Sequence, residues 1–225
     1  MPVMTNSQPV VGGNGDVYTA PVGTPIPTDI SAPATPWVKL GMVSEDGVSW
    51  TPPEEDTDDI KIWQSAYPAR VITTGLTSSM SFALDGWDRD TVPFAMGGGT
   101  FADVTGPPAT VIFTPPGAGA AVSRAIYIKV LDGDPAAGGI QMGLYFPKGR
   151  VTGRDDTVFN ASEPALLNVE FGLEAWVKPD GSVAPPYNLV FDDATFPATG
   201  SLTALDAGES RVDTRLTQEP EYAGV

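Results

Sequence analysis

Glu54-Glu55-Asp56-Thr57-Asp58-Asp59 is the densest cluster of titratable side chains in the sequence and the first place to look for chemistry. A glycosidase needs two carboxylates facing each other across a cleft with their pKa values pushed apart. A contiguous run between two prolines and a strand reads instead as a solvated loop. Asp56-Thr57-Asp58 and Asp132-Gly133-Asp134 put carboxylates at alternate positions, as a hard-cation loop does. Neither has a Gly at the sixth position or a Glu at the twelfth, and the second reads as a hairpin turn. Gly97-Gly98-Gly99-Thr100 and Gly117-Ala118-Gly119 lack both the GxGxxG spacing and the Lys-Ser/Thr of a phosphate cradle. Asn160-Ala161-Ser162 has the form of a glycosylation acceptor and reads as a chance match. Trp37, Trp50, Trp63, Trp87 and Trp176 read as core or interface anchors rather than a carbohydrate platform. No catalytic, cofactor or metal-binding residue is assigned.

Composition narrows the function classes further. The 225 residues contain no Cys and no His, which excludes disulfides, thiolate nucleophiles, Ser-His-Asp machinery and imidazole metal sites. With 28 acids against 12 bases the net charge is −16, a field that repels phosphate and argues against nucleic-acid binding by charge neutralisation. The apolar fraction of 41% supports a real core. No run of 18 apolar residues suits a membrane span, and residues 1–15 lack the pattern of a secretory signal, so no membrane anchor is expected.

The elements that must carry these residues are short. Gly 25 and Pro 23 are too frequent for a helical protein. Residues 1–36, rich in Gly and then Pro, read as an extended N-terminal arm that cannot ladder centrally into a sheet, with one short strand at 16–20. Strands are expected at 37–43, 48–51, 69–76, 79–84, 100–104, 109–114, 123–131, 140–146, 149–152, 166–177 and 188–191. In 79–84, Met80, Phe82 and Leu84 alternate with Ser79, Ser81 and Ala83, the period of a strand with one buried face. Residues 85–96 are the helix candidate, capped by Asp85 or Asp88, shortened by Pro93 and ended by the three glycines. The fold class is therefore mainly β, a β-sandwich or β-barrel with one short α-helix. A domain at 37–191 is flanked by the arm at 1–36 and by an acidic C-terminal arm at 192–225, which holds seven acids and two arginines.

Trp37-Val-Lys-Leu-Gly-Met-Val-Ser-Glu-Asp-Gly-Val48, followed by Glu54-Glu55, Asp59-Ile-Lys-Ile62 and Trp63-Gln64, resembles the major tail (tail tube) protein of long-tailed, non-contractile bacteriophages, in forms found in phages of actinobacteria. The opening Gly13-Asn-Gly-Asp-Val-Tyr-Thr-Ala-Pro21 and the Pro-rich leader fit the same family. The resemblance covers 13–64 well and the remainder in style. It implies a β-sandwich or barrel flanked by a helix, with six copies closing into rings that stack into a hollow tube in the virion tail. It also implies a loop, here 44–59, that reaches the adjacent ring, together with other tail proteins such as tape measure and tail terminator as partners. DNA would pass through without specific binding, and assembly would take place in the host cytoplasm. Six copies at −16 each carry −96, a charge that would help DNA slide if part of it faced the lumen. Five bases, Arg124, Lys129, Lys148, Arg150 and Arg154, lie where only Asp132 and Asp134 oppose them. The expectation is that this strip meets the acidic segment across a subunit interface, with Glu45, Asp46, Trp50, Glu54, Glu55, Asp58 and Asp59 as the opposing contact residues. A head decoration protein, a tail terminator or connector, and a carbohydrate-binding module are the alternatives.

Overall fold

The computed structural model describes residues 12–61, 63–65, 67–133 and 140–191. Among the described residues ten strands and one helix follow in chain order: β1 (Asn14–Ala20), β2 (Val38–Lys39), β3 (Val43–Ile60), β4 (Arg70–Leu84), α1 (Thr91–Ala95), β5 (Thr100–Val104), β6 (Thr110–Thr114), β7 (Arg124–Asp132), β8 (Ile140–Gly153), β9 (Leu167–Leu173) and β10 (Asn188–Phe191). One antiparallel sheet runs in the order β2-β1-β7-β8-β9-β4-β3, and β5 pairs with β6 in a separate ribbon.

Strand β8 joins two halves of the main sheet. Residues 142–145 pair with β10, and residues 149–153 pair with β9. Its length serves two sheet directions, and the interruption at Pro147, which has no N–H to donate, falls between them. The halves then close over one core. Val17, Ile126, Ile128, Leu144 and Phe146 of the first half pack with Met80, Phe82, Leu84, Val169 and Phe171 of the second. The alternation in 79–84 explains the second contribution, because its even positions point inward. A cleft of about 290 Å³ between Gly15 and Asp16 of β1 and Val43 and Val48 of β3 marks where the two ends of the sheet approach. Among the described residues no ladder crosses it, so the sheet stays open rather than closing into a barrel.

Helix α1 is shorter than expected. Asp88 accepts hydrogen bonds from the Thr91 and Asp90 amides and the Thr91 hydroxyl, which organises the entry. Gly97, Gly98 and Gly99 then take φ of 73°, 133° and 112°, a run that residues with a Cβ resist, and the helix ends. Phe94 lies between Phe82 and Phe171, stacked on both at ring separations of 6.2 and 6.0 Å, which ties the helix to the core.

The N-terminal arm expectation needs correction for 12–36. β1 contains no proline and ladders on both sides, with β2 and with β7. The Pro-rich residues after it form a strap across the second face of β1, β7 and β8. There Trp37 packs on Tyr127 and Tyr145 at 6.0 and 6.1 Å, and its Nε1 donates to the Pro25 carbonyl at 3.3 Å. Tyr145 donates to the Thr24 carbonyl (2.7 Å), and Lys129 donates to the Ser31 carbonyl (2.8 Å). Residues without regular ladder partners thus find acceptors and donors on the sheet face. Burial pushes the Tyr127 hydroxyl well above its ordinary pKa. The C-terminal arm at 192–225 and residues 1–11 lie outside the described residues, as do Ile62 and Asp134.

Candidate assembly interface

Beyond the core, β3 and β4 continue as a two-stranded ribbon. Glu54 pairs with Thr77, Glu55 with Leu76, Asp58 with Ile72, Asp59 with Val71 and Ile60 with Arg70. The expected loop at 44–59 is therefore mostly strand, a correction with a clear physical basis. β3 is the edge of the sheet, so Pro52 and Pro53 forfeit few ladder bonds and sit at a register shift between Thr51 and Glu54. Opposite them the Ser78 hydroxyl donates to the Thr51 carbonyl at 2.6 Å. The acids tolerate strand geometry because both ribbon faces are wet: every residue from 54 to 60 is exposed. Glu55 accepts from the Thr73 hydroxyl (3.2 Å), a cross-strand bond within the ribbon.

Ten residues of strand beyond the core extend about 30 Å at 3.4 Å per residue. At the tip Trp63 is 100% exposed and Tyr67 81%. Among the described residues nothing covers either face of this ribbon, and isolated two-stranded ribbons are marginal in water. Its free edge also offers unpaired backbone groups to another strand.

The remaining predicted contact residues fall in different places. Glu45 and Asp46 are exposed at the irregular start of β3, where Gly47 takes φ 71°. Trp50 is half-buried and packs edge-on against Phe146 (6.0 Å) and Tyr187 (5.0 Å), so it anchors its own core rather than a free surface. The basic strip is not brought to the acidic ribbon within the chain. Lys129 lies 3.7 Å from Asp16, Arg154 donates to the Ala95 carbonyl (2.7 Å), and Lys148 (3.2 Å) and Arg150 (2.9 Å) both reach Glu174. Arg124 is exposed at the start of β7.

Glu174 is the residue that sequence reading missed. It follows β9 and also accepts from the Ser123 hydroxyl at 2.9 Å. Burial opposes its ionisation, but hydrogen bonds from Ser123 and Lys148 and the charges of Lys148 and Arg150 outweigh that, holding its carboxyl below its ordinary value. Nothing local in the sequence marks it, since its partners lie 24 to 51 positions away. Among the described residues no three acids converge in a way that could hold a metal ion, and no helix is long and apolar enough to cross a membrane.

A model of the phage tail tube protein family matches residues 2–198. The chain belongs to that family. As a tail tube protein it is a structural component of the virion tail, and membership selects that role over the head-decoration and carbohydrate-module alternatives. Comparison with curated proteins finds no match. The mainly β architecture with a single short helix is the framework from which this tail tube protein presents its ribbon.

Proposed function

We propose that the chain closes into six-membered rings that stack into the tail tube of a long-tailed, non-contractile phage, and that the tube conducts DNA into the host. The exposed β3–β4 ribbon carries this reading, because its backbone edge, its acidic faces and its aromatic tip lie uncovered by the described residues and can be completed by neighbouring copies. The charge of −16 per copy supports a conduit that repels phosphate. Glu45, Asp46, Glu54, Glu55, Asp58 and Asp59 serve as contact residues toward the adjacent ring. Of the basic strip, Arg124 is the residue with the most freedom to answer them, since Lys129, Lys148, Arg150 and Arg154 already have partners in their own chain. Tape measure and tail terminator proteins complete the assembly, which takes place in the host cytoplasm.

Negative-stain microscopy of the purified full chain at rising concentration tests the proposal. Sixfold rings, or tubes of uniform bore, are expected. A chain that stays monomeric at high concentration, or assembles with another symmetry, overturns it.

A further inference from the structure

The β5–β6 ribbon is a second exposed sheet with a different chemistry. Phe101 and Phe113 pair across it, 5.0 Å apart, and pack toward the core. Asp103 on the same side is matched by Arg89, whose guanidinium also sits 5.7 Å over the Phe101 ring. The opposite face consists of the cross-strand pairs Thr100–Thr114, Ala102–Ile112 and Val104–Thr110. All six residues are exposed, and Val104 and Ile112 are 43% and 53% accessible. None is charged. The surrounding chain is uncharged as well: residues 104–123 contain no Asp, Glu, Lys or Arg, in a protein that is 18% charged.

On a molecule of charge −16 a neutral β face is the place where another molecule of the same charge approaches with least repulsion. Depletion of charge is also the compositional mark of an interface core. A partner of positive charge would instead favour the acidic surface found elsewhere on the molecule, so the neutral face selects a copy of this chain over a basic partner. We infer that the outer face of the β5–β6 ribbon is a contact with a second copy of this chain, separate from the acidic ribbon. Two strands of five residues each present an area of roughly 17 Å by 10 Å, well short of what holds a dimer alone. The contact therefore acts in a closed or stacked assembly, where several interfaces add. The inference rests on the tube reading for the existence of such an assembly.

Three full-length proteins test it: wild type, Ile112→Asp and Ile112→Val. The assembly threshold is read by sedimentation, and folding of the unassembled chains by thermal melting. Ile112→Asp is expected to raise the threshold at least tenfold with an unchanged melt, and Ile112→Val to behave as wild type. The absence of Cys provides an independent measurement. The thiol of Ala102→Cys is expected to react with a maleimide at least tenfold more slowly in assemblies than in free chains. Equal thresholds together with equal labelling rates overturn the contact while leaving the tube reading intact. Protection seen in complete tails but not in assemblies of the pure chain assigns the face to another tail protein, and overturns contact with a second copy. A wild type that never assembles overturns both readings.

Discussion

Replacing Trp37 by Ala separates a strap from a free arm. The indole is 7% exposed, lies against Tyr127 and Tyr145, and bonds to the Pro25 carbonyl. Burying about 200 Å² of aromatic surface at ~25 cal/mol per Å² corresponds to ~5 kcal/mol, an upper bound because unfolded chains are partly compact. Truncations of buried aromatics measure about 3–5 kcal/mol, and the lost hydrogen bond to Pro25 falls within that range. For a domain of this size, each kcal/mol moves Tm by about 2–4 °C, so the variant melts roughly 6–20 °C lower. Scanning calorimetry at low protein concentration, where assembly does not add stability, is the appropriate assay. Limited proteolysis then finds the chain newly open between 21 and 36. Trp63→Ala is the internal control, since Trp63 is fully exposed and its removal leaves Tm unchanged. A Trp37→Ala melt within a degree or two of wild type refutes the strap and restores the free arm.

Reversing Glu54, Glu55, Asp58 and Asp59 to Lys leaves the monomer folded, because all four side chains are exposed, but hinders tube growth; normal tubes by microscopy would remove these acids from the interface. Glu174→Gln costs about 1 kcal/mol near neutral pH, a modest value because its cationic partners are partly solvated. The folded-state pKa of Glu174 is depressed, so its contribution is full above the unfolded value near 4.3 and disappears as pH falls through the folded one; urea titrations of the two proteins should converge in that acid range. Gly143→Ala destabilises by about 1–3 kcal/mol, because a Cβ there would stand 2.5–2.6 Å from atoms of the buried Tyr127 ring; a chemical denaturation midpoint equal to wild type would contradict that packing.

Strands whose pattern is set by their own residues were legible in the sequence. Residues 100–104 and 188–191 match β5 and β10, and the alternation through Met80, Phe82 and Leu84 identifies the buried face of β4. Elements fixed by distant partners were not. Pro52, Pro53 and five acids within the next six residues carry every local mark of a loop, and only pairing with β4 along a sheet edge makes them strand. Thr77-Ser78 reads as a break between two strands, yet β4 runs through it as part of the ribbon. The same applies to the candidate contacts. An excess of bases between 124 and 154 looks unmatched along the chain, whereas Asp16, Ala95 and Glu174 meet four of them in space. Prolines at 21, 25, 27, 33 and 36 suggest extended backbone, whereas the segment bends and turns at 21–23, 28–32 and 35–36, and nothing local shows that aromatic side chains on the sheet hold it down.

The shared strand β8 has a mechanical consequence. A load applied to the acidic ribbon passes from β4 to β9, to β8, to β7 and to β1 through adjoining main-chain ladders. Within each ladder the tension is shared among several backbone hydrogen bonds, while the successive ladders carry it in series, so it does not rest on side-chain contacts between the two halves. A subunit wired in this way transmits strain from one rim of the molecule to the other as a single spring, and substitutions that loosen its interior leave that line of force in place.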